Sequence, residues 1–404
     1  MAPDGNVRRR GRLGRSLRVG GLSRKATSGP EEWLPPHRES FRPGTQNPAY
    51  RPALAFFGVK VSLPSHPSAA IIPSLGRGGP PGRVRARLVM YERLSQNDVT
   101  NRVNVENPYR VRDAVLALFG TRYPGEDFAP LARAFDDFHA LFEGRYPGYL
   151  HCDTLYHDMR HTLDMSLAMA RLIDGHDRTC APPDRLGPRR AMLGMLAALL
   201  HDCGYLKRAS EGRVENGAVF TKVHVSRSAD FVKGYLPLIG FTAEASTAAK
   251  LVHFTGYEME IADIQIADPK DRLLGCMVGT ADLIGQMSDR MYLEKCREFL
   301  YREFVLGQVA RETTHDGREI VRYGSPEDLM LKTPGFYEYV ARVRIESKLA
   351  GADRFVEAHF DGQNPYQREI DRNMAFLRGA IEDGDLQRLR RYCYSLSQRT
   401  SRAA

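Results

Sequence analysis

Met192-Leu-Gly-Met-Leu-Ala-Ala-Leu-Leu-His-Asp-Cys-Gly204 is the stretch on which the reading of this 404-residue chain turns. Met192, Met195, Leu196, Leu199 and Leu200 recur at three and four residues, the spacing of a helix with an apolar face. The run stops in His201-Asp202, and Gly204 is placed as a helix C-cap. An imidazole and a carboxylate left unpaired at the end of so apolar a helix are costly to bury. One divalent cation satisfies both, because neutral imidazole is a borderline ligand and carboxylate supplies negative charge.

Two neighbouring segments repeat the pattern. His157, His161, Asp164, Ala168 and Leu172 share one face of a helix near 158–174. Two histidines at i, i+4 are by themselves more often a hydrogen-bonded pair; the His-Asp pair downstream changes that balance. Leu274, Met277, Val278 and Ala281 form an apolar stripe near 269–287 that also carries Asp282. A salt bridge to Arg272 or Arg290 is the other way to satisfy that carboxylate. Two histidines and two aspartates on three helices, His161, His201, Asp202 and Asp282, can close on one metal ion.

The rest of the chain is of the same class. Val111, Val115, Leu116, Leu118 and Phe119, then Leu131, Phe135, Phe138, Leu141 and Phe142, open a series of amphipathic segments. It continues near 189–203, 224–236, 243–254, 291–309, 335–350 and 364–380. Gly and Pro cluster between them, as at Pro182-Pro183. Alternating strand patterns are nearly absent, with Glu319-Ile-Val-Arg-Tyr323 as one minor hairpin strand. The expectation is an all-α domain of roughly ten helices over 90–404.

Ahead of it, residues 1–89 hold 16 Lys and Arg against four Asp and Glu, which leaves the other 315 residues near −3 within a total of +9. The basic excess therefore does not describe the folded part, and a nucleic-acid partner is not expected. The same segment holds 12 of the 24 prolines and 12 of the 36 glycines, so it reads as a disordered leader. Its Arg8-Arg9-Arg10 cluster reads as a solvated tail rather than an address, and Met90 offers a natural start. Six scattered cysteines without a C-x-x-C pair suit reduced thiols in a cytosol. The longest apolar run, Met195–Leu200, falls far short of the roughly 18–20 residues of a membrane span.

Tyr156-His157-Asp158-Met159-Arg160-His161-Thr162-Leu163-Asp164-Met165 resembles the Tyr-His-Asn-x-x-His-Ala-x-Asp-Val signature of class I cyclic-nucleotide phosphodiesterases. Asp158, Thr162 and Met165 stand in place of its Asn, Ala and Val. With His201-Asp202 and Asp282 following in order, the chain resembles the HD superfamily of metal-dependent phosphohydrolases over about 150–290. The resemblance implies an HD/phosphodiesterase-like helical bundle. It implies that His161, His201, Asp202 and Asp282 ligate a first metal, that Asp202 bridges toward a second, and that His157 is the general acid. Cys203-Gly-Tyr-Leu206 stands where phosphodiesterases carry another histidine, and no downstream Phe-x-x-x-Gln-x-x-Phe purine clamp is found. His-Asp-x-Gly-Tyr is closer to bacterial HD hydrolases. Their dinuclear members bind the second ion through a histidine opening a helix, as His224 does, and one ending the next, as His253 does.

The expected activity is hydrolysis of a small phosphate ester, a cyclic nucleotide or another small phosphodiester, by metal-activated water. His157 and Asp202 are the expected catalytic residues. One or two divalent ions are implied: Zn, Mn or Fe at the first site, Mg or Mn at the second. Lys207, Arg160 and Gln286 are candidate substrate contacts. Two alternatives stand beside this reading, a nucleotidase, dNTP or alarmone hydrolase on the same scaffold and a catalytically silent, nucleotide-sensing HD module. A cytoplasmic protein with no membrane or nucleic-acid partner is expected, and a homodimer is allowed.

Overall fold

Two helices, α1 (Pro108–Arg122) and α2 (Ala129–Phe142), lead into the element around which the fold is built, α3 (Met159–Thr179). The computed structural model describes residues 93–389 except His315. These all lie within one unit, Tyr50–Ala404. The expected leader at 1–89, its arginine cluster, Met90 and Cys393 fall outside the described residues. There follow α4 (Gly187–Leu200), α5 (His224–Tyr235), α6 (Ala245–Val252), α7 (Pro269–Ser288), α8 (Tyr292–Lys295) and α9 (Tyr301–Leu306). A hairpin, β1 (Arg311–Thr313) with β2 (Glu319–Val321), is the one sheet among the described residues. The chain closes with α10 (Pro326–Phe336), α11 (Arg354–His359) and α12 (Pro365–Glu382). The all-α class read from the sequence is the class observed.

Local chemistry sets the helix starts. The side chains of Asn107, Asp158, Asp268, Ser325 and Asn364 each accept a backbone N–H of the first helical turn. In four of these five helices proline follows as the first residue, where its missing N–H costs nothing.

From Arg160 to Asp177, α3 is buried on every face, with α1, α4, α7 and α11 packed around it. A helix in that position is ordinarily apolar all round. This one pairs many of its polar groups, although Asp164 Oδ1 and Ser166 Oγ are buried without a hydrogen-bond partner. Arg171 bonds Asp98 and the Tyr366 hydroxyl, Asp174 takes Arg122 and His359, and Asp177 accepts from Tyr123 and His176. Gly175 permits the contact with α11, since a Cβ there would lie 1.8 Å from the Phe355 carbonyl oxygen.

Two boundaries differ from expectation. α3 begins at Met159, so His157 precedes the capping residue Asp158 and lies outside the helix. α4 ends at Leu200 and Cys203–Tyr205 forms a separate 3₁₀ turn, so Gly204 is not a helix C-cap. Its role is close packing: a Cβ at Gly204 would sit 1.9 Å from the His224 carbonyl oxygen at the start of α5. Its N–H donates to Ser228 Oγ (2.8 Å) on the same helix. Among the described residues no helix is long and apolar enough to cross a membrane.

Candidate metal centre

Because α3, α4 and α7 pack against one another, the first turn of α3, the end of α4 and the middle of α7 meet. His161, His201 and Asp282 present one ligand atom each, all within 4.8 Å of one another and all buried. Asp202 joins them: its Oδ2 is 3.1 Å from His201 Nε2 and 3.3 Å from His161 Nε2. Asp282 Oδ1 is 3.2 Å from His161 Nε2 and 3.8 Å from His201 Nε2. Arg272, weighed as a partner for Asp282, is spent on the carbonyl oxygens of Ile261 and Ile264.

Hydrogen bonding identifies what this cluster lacks. His201 donates its Nδ1–H to the Ala198 carbonyl (2.8 Å), which turns Nε2 to the cluster; burial opposes protonation of this ring, but Asp202 and Asp282 hold it above its ordinary range. That nitrogen and Asp202 Oδ2 are buried and hydrogen-bond to nothing. Two electron-rich atoms 3.1 Å apart, shut from water, call for a cation between them. The charge balance agrees. Burial opposes protonation of His161, but the carboxylates of Asp202 and Asp282 override it and hold the ring at about 10. Burial would raise the Asp202 carboxyl, yet the imidazoles of His201 and His161 hold it well below the usual carboxylate range. The donor set therefore fits a divalent ion.

A second set of groups adjoins the first. His224, first residue of α5, donates Nδ1–H to the Thr221 carbonyl (2.7 Å) and turns Nε2 to within 3.8 Å of Asp202 Oδ1. Burial holds this imidazole below its ordinary range, against the pull of Asp202. Asp202 thus serves His161 and His201 with one oxygen and faces His224 with the other. His157 Nδ1 lies 2.6 Å from Glu303 Oε2, while Glu303 Oε1 accepts the backbone N–H groups of Tyr156 (2.6 Å) and His157 (3.4 Å). Tyr205 stacks on both imidazoles, His157 at 4.4 Å and His224 at 4.3 Å between ring centroids, and those two rings are 6.1 Å apart.

These groups open on a cavity of about 310 Å³. His157, His161, Asp202, His224, Asp282 and Gln286 line its polar end. Gln286 donates to Asp282 Oδ1 (3.2 Å) and accepts from the Tyr156 hydroxyl (3.1 Å), so it orients a ligand carboxylate.

Three expected residues lie elsewhere. Lys207 does not line the cavity, since Asp153 holds its Nζ at 2.5 Å. Arg160 is neither solvated nor a cavity residue. It is buried against Asp289 (2.9 Å) and Glu106 (3.1 Å), beside a small void shared with Asp164 and Lys295. His253 ends α6 half-buried and is absent from the cavity wall and from the His161–His201–Asp282 group. In the opposite direction, Glu303 was missed. It occupies the stripe Tyr292, Cys296, Phe299, Glu303, a carboxylate on a buried helical face. That is the signal that exposed Asp282.

The profile of the Npun_R2479-like family matches residues 148–363, just over half of the chain. The chain belongs to the Npun_R2479-like family. No curated protein matches it. In this Npun_R2479-like protein the matched stretch runs from before Tyr156 to beyond Phe336, and so contains the whole cavity wall and every group of the centre.

Proposed function

We propose that this chain is a metal-dependent phosphoester hydrolase of the HD type, acting on a small phosphodiester. The observation that carries the reading is the pair of buried, unbonded ligand atoms, His201 Nε2 and Asp202 Oδ2, within one cluster with His161 and Asp282. His161, His201, Asp202 and Asp282 would hold a first ion, for which Zn, Mn or Fe suits the mixed nitrogen and oxygen donors. Asp202 Oδ1 and His224 would face a second, where Mg or Mn suits the harder set. A divalent ion so held supplies water acidified from about 15.7 to around 7 and positive charge for the phosphoryl oxygens.

The protein's own groups do the rest. Glu303 takes the Nδ1 side of His157 and leaves Nε2 to serve the cavity, so His157 is placed to protonate a leaving ester oxygen. Tyr205 fixes the plane of that ring by stacking. Gln286 keeps Asp282 turned to the centre. An alkoxide needs that proton more than a pyrophosphate does, which favours an ester substrate over an anhydride. The free thiols of the described cysteines suit a reducing cytoplasm.

The test is turnover of bis(4-nitrophenyl) phosphate by the Mn²⁺- or Zn²⁺-exchanged protein. Hydrolysis that disappears in Asp202→Ala supports the reading. A metal-loaded wild-type chain with no turnover on any phosphate ester overturns it.

A further inference from the structure

The cavity that receives the polar end of the centre is unlike a polyphosphate site. No arginine lines it among the described residues. Its two lysines are already committed: Lys222 Nζ is 2.9 Å from Glu312, and Lys332 Nζ bonds the Arg322 carbonyl (2.7 Å) and Asp328 (2.9 Å). Glu258, also on the wall, is a further negative group; it accepts the backbone N–H groups of Val225 and Ser226. Beyond the centre itself, then, no uncommitted cation among the described residues faces the cavity to receive a second or third phosphate.

The far wall has a different character. Leu300, just before α9, and Phe304, Val309, Tyr323, Leu329 and Phe336, from α9 through α10, turn apolar surface toward the same cavity. Several polar side chains of the cavity are internally bonded, the buried Tyr205 hydroxyl being an exception. Thr333 donates to the Leu329 carbonyl, Thr255 to the Val252 carbonyl, and both ends of the Gln286 amide are occupied by Tyr156 and Asp282. A nucleobase placed there would bury its donors and acceptors against few free partners, at a cost for each. An alkyl or aryl group would simply leave water.

We infer that the substrate is a diester with a single phosphoryl group, one of whose alcohols is uncharged and apolar, alkyl or aryl, with its body packed on the wall formed by Leu300 and the segments from α9 to α10. The inference rests on the hydrolase reading only for what binds the phosphoryl end. It excludes nucleoside triphosphates and other multiply phosphorylated nucleotides as substrates.

The test is binding, read by calorimetry on the full-length Mn²⁺-loaded protein. Methyl-, butyl-, hexyl- and phenylphosphonate form the apolar series, and thymidine 5′-monophosphate is the polar comparison. Affinity should rise by about fourfold per methylene up to the capacity of the cavity, the factor for moving one CH₂ out of water. Thymidine 5′-monophosphate should bind no tighter than methylphosphonate. Leu300→Asp, a half-buried position on the wall, should flatten the series. A flat series in the wild type with metal bound, or thymidine 5′-monophosphate binding tighter than hexylphosphonate, overturns this inference and leaves the hydrolase reading standing. Failure of every phosphonate to bind, with no metal found by elemental analysis, overturns both.

Discussion

Glu303→Gln tests the acid role of His157 without disturbing the metal ligands. The substitution is nearly isosteric. Its one carbonyl oxygen can accept from His157 Nδ1 only by giving up the 2.6 Å bond from the Tyr156 N–H, which then faces the amide NH2. What changes is the partner of His157 Nδ1: a carboxylate at 2.6 Å becomes an amide, and a charge-assisted hydrogen bond becomes a neutral one. A bond to a charged group is worth about 1.5–3 kcal/mol and a neutral one about 1 kcal/mol, so roughly 0.5–2 kcal/mol of support for the protonated ring is lost. At about 1.4 kcal/mol per decade this predicts a fall in kcat of about 2- to 30-fold when the leaving group is a poor one such as an alkoxide. With 4-nitrophenolate, which hardly needs a proton, kcat should stay within about twofold. The assay is steady-state turnover of matched 4-nitrophenyl and alkyl phosphodiesters, with metal content measured on the same preparations. Equal losses on both leaving groups, or no loss on either, would refute the assignment of Glu303 and His157 to proton delivery.

Other expectations follow from the same geometry. His157→Ala should retain metal and fold yet lose about 10²–10⁴-fold on poor leaving groups and much less on 4-nitrophenyl esters, checked by the same kinetics. Gly204→Ala drives a Cβ into the His224 carbonyl and should lower stability by about 1–3 kcal/mol, seen as a reduced Tm, with His224 displaced. Burial alone would raise the Asp98 carboxyl, but Arg171 and the Val103 N–H override it and hold it at about 2, below the model-peptide 3.8. A lowered carboxyl stabilises the fold above the unfolded value, so about 2 kcal/mol should be lost as the pH falls from about 4 through 2. In Asp98→Asn that part of the pH dependence of urea unfolding should vanish, and an unchanged slope would contradict the pairing.

The buried His/Asp cluster was legible because its cost is legible: His201-Asp202 closing an apolar helix and Asp282 on an apolar stripe are conspicuous in one dimension. Helix starts were legible for a similar reason, since Asp268-Pro269 and Asn364-Pro365 pair a capping side chain with proline. The position of His157 was not. Periodicity carried it into α3, whereas Asp158 is the cap, and both aspartate and asparagine perform that role well. Lys207 and Arg160 were misplaced because spacing along the chain says nothing about the distant carboxylates that claim them, Asp153 for one and Asp289 and Glu106 for the other. Glu303 carried the same signal as Asp282, but its charged neighbours Arg302 and Glu298 make the apolar stripe less conspicuous.

The most direct measurement is the metal content of the purified chain by elemental analysis, for the wild type beside Asp202→Ala and Asp282→Ala. At least one equivalent of Zn, Mn or Fe per wild-type chain is expected, falling to background in both variants, with a lowered Tm because an ion bound only by the folded state stabilises it. A wild-type chain that takes up no divalent ion, or variants that hold as much metal as the wild type, would contradict the claim that His161, His201, Asp202 and Asp282 form a metal centre.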